Sequence, residues 1–504
     1  MLRKIRIALE IIFFVFITLL FLDFTGIIKT YFAWMAKIQL LPAILAVNVV
    51  VVIALLLLTF LFGRIYCSIV CPLGAFQDAI SHIRGKFKQN RFHFSPEKRI
   101  LRCIVLVAFI ILLVAGFGSI AGLIEPYSAY GRIASNIFAP VYQLGNDFLA
   151  YIAERLNSYA FYHTHYVWLK SVITLSVAIL TTIVVGLLAV RNGRTYCNTV
   201  CPVGTLLGFV SRFSLFKISI DTTKCNSCKL CAKNCKSSCI NSDTHEIDYS
   251  RCVVCMNCTG KCHKNAIQYK FMPLIKKTKI EKKKTTLEEK IKTDAEASRR
   301  TFLTMAGTVA VAATIKAQKK NVDGGLAAIK NKEIPRRKTK LVPPGALSAA
   351  HLAQHCTACQ LCITECPNQV LHPSSGLSTL MQPEMQFQEG ACRPECTRCS
   401  HVCPTGAIRP ITRAEKSSIQ LGHAVWISKN CLINTDGITC GNCARHCPNG
   451  AIQMMVKNPT DDYSPKIPVV DTTRCIGCGM CESVCPARPF SAIYVEGHLV
   501  HKHI

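Results

Sequence analysis

Twenty-four of the 30 cysteines stand in six groups of four with a shared rhythm. Four groups are strict: Cys225, Cys228, Cys231, Cys235; Cys252, Cys255, Cys258, Cys262; Cys356, Cys359, Cys362, Cys366; and Cys475, Cys478, Cys481, Cys485. Two are variants: Cys392, Cys396, Cys399, Cys403, and Cys431, Cys440, Cys443, Cys447, the latter with an enlarged first loop. Three thiolates three residues apart wrap one cubane and each cap an iron, while the fourth reaches the neighbouring site. Proline follows the fourth cysteine in the last four groups and stops the turn from continuing as helix. In the first two groups Lys236 and His263 stand there instead, which leaves the ligands intact but alters their surroundings. Zinc ribbons use separated Cys-x-x-Cys pairs, not triplets with a lone fourth. Repeated copies of one step also argue against disulfides. Soft, closed four-thiolate sites predict six [4Fe-4S] clusters. Cys225, Cys228, Cys231 and Cys262 are expected on one, and Cys252, Cys255, Cys258 and Cys235 on another. For the later sixteen cysteines, adjacent and nested pairings both stay open.

Four more cysteines lie in an internal repeat. Gly63-Arg64-x-Tyr66-Cys67-x-x-Val70-Cys71-Pro72-x-Gly74 recurs 130 residues later as Gly193-Arg194-x-Tyr196-Cys197-x-x-Val200-Cys201-Pro202-x-Gly204. Two pseudo-symmetric halves can each donate a pair to one shared metal or cluster. A redox dithiol in each half is the rival, and a structural role the plain alternative; the residues favour a redox-active site. Cys239 aligns with Ala266 and reads as a small packing residue, and Cys103 as apolar packing.

The elements that must position these thiols begin with four apolar segments near spanning length, at about 5–27, 39–62, 103–124 and 168–190. Half of the 504 residues are hydrophobic and only 17% charged, with mean hydropathy +0.30. That composition excludes a disordered chain and argues against a soluble one. No secretory signal peptide with a small-residue cleavage site opens the sequence. The net charge of +30 is offset by anionic thiolate clusters, and much of it flanks apolar segments or lies in a lysine-rich linker. It suits a membrane surface, not a nucleic-acid groove. Arg64, Arg84, Lys86, Lys88, Arg91, Lys98, Arg99 and Arg102 lie between the second and third segments, whereas 125–167 carries only Arg132 and Arg155. The positive-inside rule then puts 63–102 and the residues after 190 in the cytoplasm.

The expected fold is an α-helical four-span membrane unit plus α+β bacterial-type ferredoxin modules, one with two clusters and one with four. The expected order is 1–216 membrane unit, 217–270 cytoplasmic module, 271–297 lysine-rich linker, 298–318 export signal or anchor, 319–345 linker and 346–504 four-cluster domain. Ser298-Arg299-Arg300-Thr301-Phe302-Leu303 before a mildly apolar run looks like a twin-arginine signal. Clusters must be inserted before export, so the last domain would cross folded and lie in the periplasm of a bacterial inner-membrane protein.

With these motifs, residues 1–270 resemble the NapH-type membrane quinol-dehydrogenase ferredoxins, with four spans, paired Cys-x-x-x-Cys-Pro motifs and two cytoplasmic clusters. Residues 298–504 resemble the MauM/NapG type, exported ferredoxins with four clusters, including the enlarged Cys431–Cys440 loop and the Cys392–Cys396 step. The chain reads as a fusion of the two. The resemblance implies an electron-transfer subunit with quinol dehydrogenase activity, passing electrons from the quinone pool to a periplasmic reductase or cytochrome in a nitrate-reductase-like system. The rival is a maturation factor drawing electrons from cytoplasmic ferredoxin and moving them outward. No Gly-rich nucleotide loop supports NAD or flavin. A quinol site is sought at Glu125, Tyr127 and Arg132, with Tyr130 beside them, where a carboxylate could take a quinol proton outward. His82 and Asp78 read either as part of such a site or as a solvated helix face, and Asn48 as helix–helix glue.

Overall fold

A computed structural model describes residues 2–23, 26–87, 92–157, 161, 171–272, 330–460 and 464–504. The twin-arginine run at 298–318 lies outside the described residues. Two described helices, Leu2–Leu22 and Val172–Asn192, are long and apolar enough to cross a membrane. At about 1.5 Å per residue each covers roughly 31 Å. The expected second and third spans are not single helices. Leu40–Leu45 and Val49–Phe62 are separated at Val47, whose φ is +54°, and Asn48 caps the second piece by accepting from the Val51 amide at 3.3 Å. Asn48 is thus a helix cap rather than interhelical glue. Arg99–Val114 and Gly118–Ile124 are likewise separated at Gly116, with φ of +83°; glycine takes that conformation without penalty. The stretch 125–167, read as a connection, contains Pro126–Ile133, a π-helical turn at Ala134–Phe138 and the helix Ala139–Arg155.

The helices of this unit turn large apolar side chains outward. Ile11, Ile12, Val15, Val50, Ile53, Leu57, Ile104, Val107, Ile111, Leu180, Ile183 and Leu187 are all exposed. A contiguous exterior of this kind marks an interaction with something apolar.

The two cysteine-rich regions sit at opposite ends of the helical unit. At one end, Arg3 meets Gly260, Val254 meets Gly63, and Lys236 meets Gly193. There Arg102 also donates to the Ser250 hydroxyl at 3.1 Å. At the other end, Lys29 pairs with Glu365 at 2.7 Å, the Ser128 and Thr357 hydroxyls bond at 2.8 Å, and Ala46 meets Gly406. The backbone of Thr357 presses on Gly122 so closely that any Cβ there would clash. Leu2–Leu22, Val49–Phe62 and the Arg99–Ile124 stretch therefore each run from one cysteine-rich region to the other.

The smaller region pairs Phe216–Ile220 with Ile267–Phe271 as an antiparallel ribbon, and the cysteine loops lie between. The larger region has ribbons Leu371–Pro373 with Pro383–Met385, Ile452–Val456 with Lys466–Val470, and Ile419–Trp426 with Ile493–His503. Residues 330–345, read as linker, belong to it: Leu341 and Val342 are buried, Arg337 pairs with Glu482 at 2.6 Å, and Lys340 reaches Ser374.

Candidate functional site

In each strict cysteine motif the second and fourth residues after the first cysteine take positive φ: Ser227 and Lys229, Val254 and Met256, Ala358 and Gln360, Gly477 and Gly479. A further positive-φ residue stands three places after the fourth cysteine at Ser238, Asn265 and Gln369, and in the two variant motifs at Gly406 and Gly450. Left-handed residues turn consecutive backbone N–H groups to one side and make an anion-binding concavity. Amides duly face sulfur: Ala358 N–H donates to Cys356 Sγ at 3.4 Å, Val370 to Cys366 at 3.3 Å, and Ile408 to Cys403 at 3.4 Å. Ala451 donates to Cys447 at 3.2 Å and Ala492 to Cys485 at 3.3 Å. Lys416 Nζ adds a charged donor to Cys392 Sγ at 3.2 Å. Among the described residues no three or more His, Cys, Asp or Glu stand close enough for a single metal ion. Each pair of loops supplies two sets of four soft thiolates, the donor set that suits an iron–sulfur cluster.

The loops come together in pairs. Cys252, Cys255, Cys258 and Cys235 line one small cavity, with Cys239 Sγ only 3.5 Å from Cys235 Sγ. Cys239 is therefore packing beside a ligand, not remote packing. Cys225, Cys228 and Cys231 lie within electrostatic reach of one another, and Cys262 packs with Cys231 at the edge of the same core. In the larger region the pairing is adjacent. Cys431, Cys440, Cys443 and Cys485 line one apolar cavity, and Cys447, Cys475, Cys478 and Cys481 another. Cys362 is within reach of Cys356, Cys359 and Cys403, and Cys399 within reach of Cys392, Cys396 and Cys366. The Cys392 amide donates to the Cys478 carbonyl at 3.0 Å and ties the two pairs together.

Between the two regions lie the repeat cysteines, all four buried in one core. Their frame is reciprocal. Arg64, from the first half, donates to the Cys197 carbonyl at 3.1 Å and lies 3.7 Å from Cys67 Sγ. Arg194, from the second, donates to the Cys67 carbonyl. A Cβ on Gly74 would lie 2.7 Å from Arg194, and one on Gly204 2.7 Å from Arg64. Both positions need glycine because the carbonyl of their own half's first cysteine, Cys67 or Cys197, lies closer still, with the other half's arginine beside it. The Gly204 amide donates to Cys201 Sγ at 3.2 Å and Gln77 Nε2 to Cys197 Sγ at 3.4 Å. Both guanidiniums are fully buried, so donors and positive charge converge on four thiols in a dry site.

Asp78 is buried rather than on a solvated face. It pairs with Arg194 at 2.8 Å, Lys236 at 3.4 Å and Arg6 at 3.6 Å. Burial alone would raise its pKa, but these cations hold the carboxyl below its usual range. His82 lines a large open cavity near it.

On the far side of the tetrad, the repeat tyrosines reach toward the larger region. Tyr66 donates to Gln39 Oε1 at 2.7 Å, and Tyr196 to the Ile124 carbonyl at 2.6 Å. Next come Glu125, Tyr127 and Arg132. Glu125 caps Pro126–Ile133 by accepting from the Ser128 amide, and Arg132 donates to the Gly122 carbonyl at 2.9 Å. All three side chains are closed off from solvent, with Tyr127 within electrostatic reach of Cys359, Cys362 and Cys403. Cys103 stands apart, half-buried on Arg99–Val114. The cysteine rhythm singled out the 24 thiols of these loops, but nothing in the spacing marked Gln77 or Asp78 as neighbours of the tetrad.

The profile of a 4Fe-4S binding domain matches residues 44–90 and 173–221, which contain the two repeat motifs. A 4Fe-4S dicluster domain matches 438–488. No solved structure matches. The methylamine utilization ferredoxin-type protein MauM of Methylobacillus flagellatus is 31% identical over 165 residues, covering 32% of this chain and 70% of that protein. The ferredoxin-type protein NapG of Escherichia coli is 31% identical over 177 residues, 32% of this chain and 75% of that protein. The uncharacterized protein MJ0749 of Methanocaldococcus jannaschii is 24% identical over 280 residues, 56% of this chain and 90% of that protein. With its paired cluster loops, this is an iron–sulfur electron-transfer protein, and over about a third of its length it belongs to the MauM/NapG ferredoxin-type family.

Proposed function

We propose that the chain is a membrane-embedded electron conduit, a NapH-like unit fused to a NapG-like domain, which takes electrons from quinol and delivers them to an acceptor on the other side. Four crossings carry it, two as unbroken helices and two as the interrupted pairs 40–62 and 99–124. Backbone breaks at membrane depth are tolerated where they are buried in protein. The 217–270 module faces the cytoplasm and 346–504 the periplasm. The observation that carries this reading is the placement of two sets of cluster ligands at opposite ends of one apolar helical unit, with the buried tetrad between them.

The order of ligand sets along the molecule is continuous. The Cys252 loop abuts the tetrad, since Arg64 donates both to the Ser250 carbonyl at 3.0 Å and to the tetrad's frame. The tetrad is followed by Tyr66 and Tyr196, then Tyr127, then Cys359. We read Cys67, Cys71, Cys197 and Cys201 as ligands of one shared [4Fe-4S] cluster, the seventh. Bound clusters supply one-electron redox chemistry. The protein's own part is to exclude water, to order the sites, and to neutralise thiolate charge with Arg64 and Arg194. A periplasmic reductase or cytochrome is the expected acceptor.

One observation favours a second donor. Cys228 is exposed, on an edge open to a soluble ferredoxin, between Lys224 and Lys229, which pair with Asp221 at 3.9 Å and Asp243 at 2.7 Å. A maturation role driven from the cytoplasm uses that edge. The test is anaerobic: the cluster-loaded full chain in detergent receives a menaquinol analogue or reduced ferredoxin, and the visible cluster absorbance is followed. Bleaching by quinol supports the conduit. Bleaching by ferredoxin alone moves the protein to the maturation class.

A further inference from the structure

The largest cavity among those seen in the described residues, about 960 Å³, lies where the Leu2–Leu22 and Pro72–Phe87 helices meet the smaller iron–sulfur region. Its walls come from three sources with different chemistry. Ile7, Ile11 and Phe14, on the helix that we read as a span, make an apolar side. His82, with the buried carboxylates Glu10 and Asp78, makes a polar side. Leu230, Lys233 and Asn257, His263 come from the two cysteine loops: Leu230 lies between Cys228 and Cys231, Asn257 between Cys255 and Cys258, and His263 follows Cys262. A cavity of this size, part apolar with a few convergent polar groups, is the ordinary form of a small-molecule site.

We propose that this cavity is the hydroquinone site of the conduit, with the isoprenoid tail along Ile7, Ile11 and Phe14 and the ring between His82 and the cysteine loops. The inference rests on the quinol reading above and moves the site to the opposite end of the helical unit from Glu125, Tyr127 and Arg132. Those three side chains are closed in, whereas this cavity is open and touches both cluster-binding loops of the 217–270 module. Two of the lining cations are matched, Arg6 by Glu10 at 3.1 Å and Lys236 by Asp78, while Arg3, Lys86, Lys233 and Lys261 also line the cavity. His82 and Asn257 offer uncharged hydrogen-bonding groups to two ring oxygens. An anionic lipid headgroup would use the rim cations but would have no use for contact with two redox loops.

The step balances as follows. A hydroquinone losing both O–H protons and two electrons becomes a quinone. The two electrons would be taken up one each by the [4Fe-4S] clusters that Cys225, Cys228, Cys231, Cys262 and Cys252, Cys255, Cys258, Cys235 would hold. One proton passes to the His82 imidazole and the other to water at the open rim, both on the cytoplasmic side.

The test uses the cluster-loaded full chain in detergent with two probes, a menaquinol analogue as reductant and an azidoquinone as photolabel. Ala79→Trp fills the cavity from an exposed position, and His82→Leu removes the proton acceptor. Each variant should slow bleaching by quinol at least tenfold, while reduction by a viologen radical and the cluster electron paramagnetic resonance (EPR) spectrum stay as in the parent. The label should fall on peptides 3–14 and 75–86 and be lost in Ala79→Trp. Normal bleaching in both variants, or a label at 125–132, overturns the location and leaves the conduit standing. A parent chain that quinol neither reduces nor labels overturns the conduit itself. Competition of the label by phosphatidylglycerol but not by quinone assigns the cavity to lipid and overturns the proposal.

Discussion

The two halves of the internal repeat carry the same Gly-Arg-x-Tyr-Cys-x-x-Val-Cys-Pro-x-Gly frame, yet their surroundings diverge within three residues of its end. Counted 130 residues apart, Gln77 corresponds to Leu207, Asp78 to Gly208 and His82 to Arg212. Asp78 holds Arg194 at 2.8 Å. Gly208 has no side chain because Arg102 and the Ser250 carbonyl occupy that space, at 2.4 and 2.6 Å from where its Cβ would be. Hence the thiols are held symmetrically, while the cavity opens on the first half only. The shared frame treats the two pairs of thiols alike, whereas the cavity, lined by Asp78 and His82 but by none of the four cysteines, belongs to the first half alone.

The largest expected effect tests the symmetry. If the four thiols form one site, Cys71→Ala and Cys201→Ala remove the same cluster. At four irons per cluster, each should lower iron from about 28 to about 24 per chain and delete the same low-temperature EPR component. Iron that stays constant in both variants would instead mean a dithiol in each half. Iron lost in one variant alone would break the equivalence of the halves.

The next effect tests the asymmetry. Arg64 and Arg194 are both fully buried, but only Arg194 has carboxylates, Asp78 at 2.8 Å and Glu10 at 3.5 Å. Arg194→Met leaves buried anions short of a partner, a change that costs about 3–5 kcal/mol. Arg6 and Lys236 stay beside Asp78, so the lower end of that range is expected. Arg64→Met strands the Asn198 side chain and two carbonyls, at about 1–3 kcal/mol. Unfolding of the full chain in detergent should therefore rank Arg194→Met as the less stable. The opposite order would mean that charge on the thiols, rather than on Asp78, dominates the frame.

How much of this was legible in the sequence follows from what each residue's neighbours are. Cysteine loops are largely local: three thiols of each set lie within a dozen residues and spacing displays them, while the fourth comes from the neighbouring motif, which left the later pairings open. The left-handed positions were visible in one strict motif alone, where Gly477 and Gly479 occupy them; Ser227, Val254 and Ala358 give no such sign. The broken second and third segments were hidden because hydropathy does not register a positive φ at Val47, and a lone Gly116 in an apolar run has several readings. Asp78 looked solvated because its three cations, Arg6, Lys236 and Arg194, come from segments 72, 158 and 116 residues away. Partners at that distance are set by the fold, and a single sequence does not display them.

The smallest effect lies outside both halves. Gly145 sits within the Ala139–Arg155 helix, exposed, and a Cβ there would meet nothing within 4 Å. Glycine in a helix interior costs about 0.5–1 kcal/mol relative to alanine because it loses more backbone freedom on folding. Gly145→Ala should therefore raise stability by about that amount, read as a small upward shift of the unfolding midpoint, and leave iron content and quinol bleaching unchanged. The repeat glycines behave oppositely, since a Cβ on Gly74 or Gly204 would meet the backbone carbonyl of Cys67 or Cys197 at 2.5 or 2.2 Å. Alanine at either should lower iron per chain by the same step as Cys71→Ala or Cys201→Ala. A gain at Gly145 with losses at Gly74 and Gly204 separates glycine as a mere helix weakness from glycine as the space through which each half admits the other's arginine.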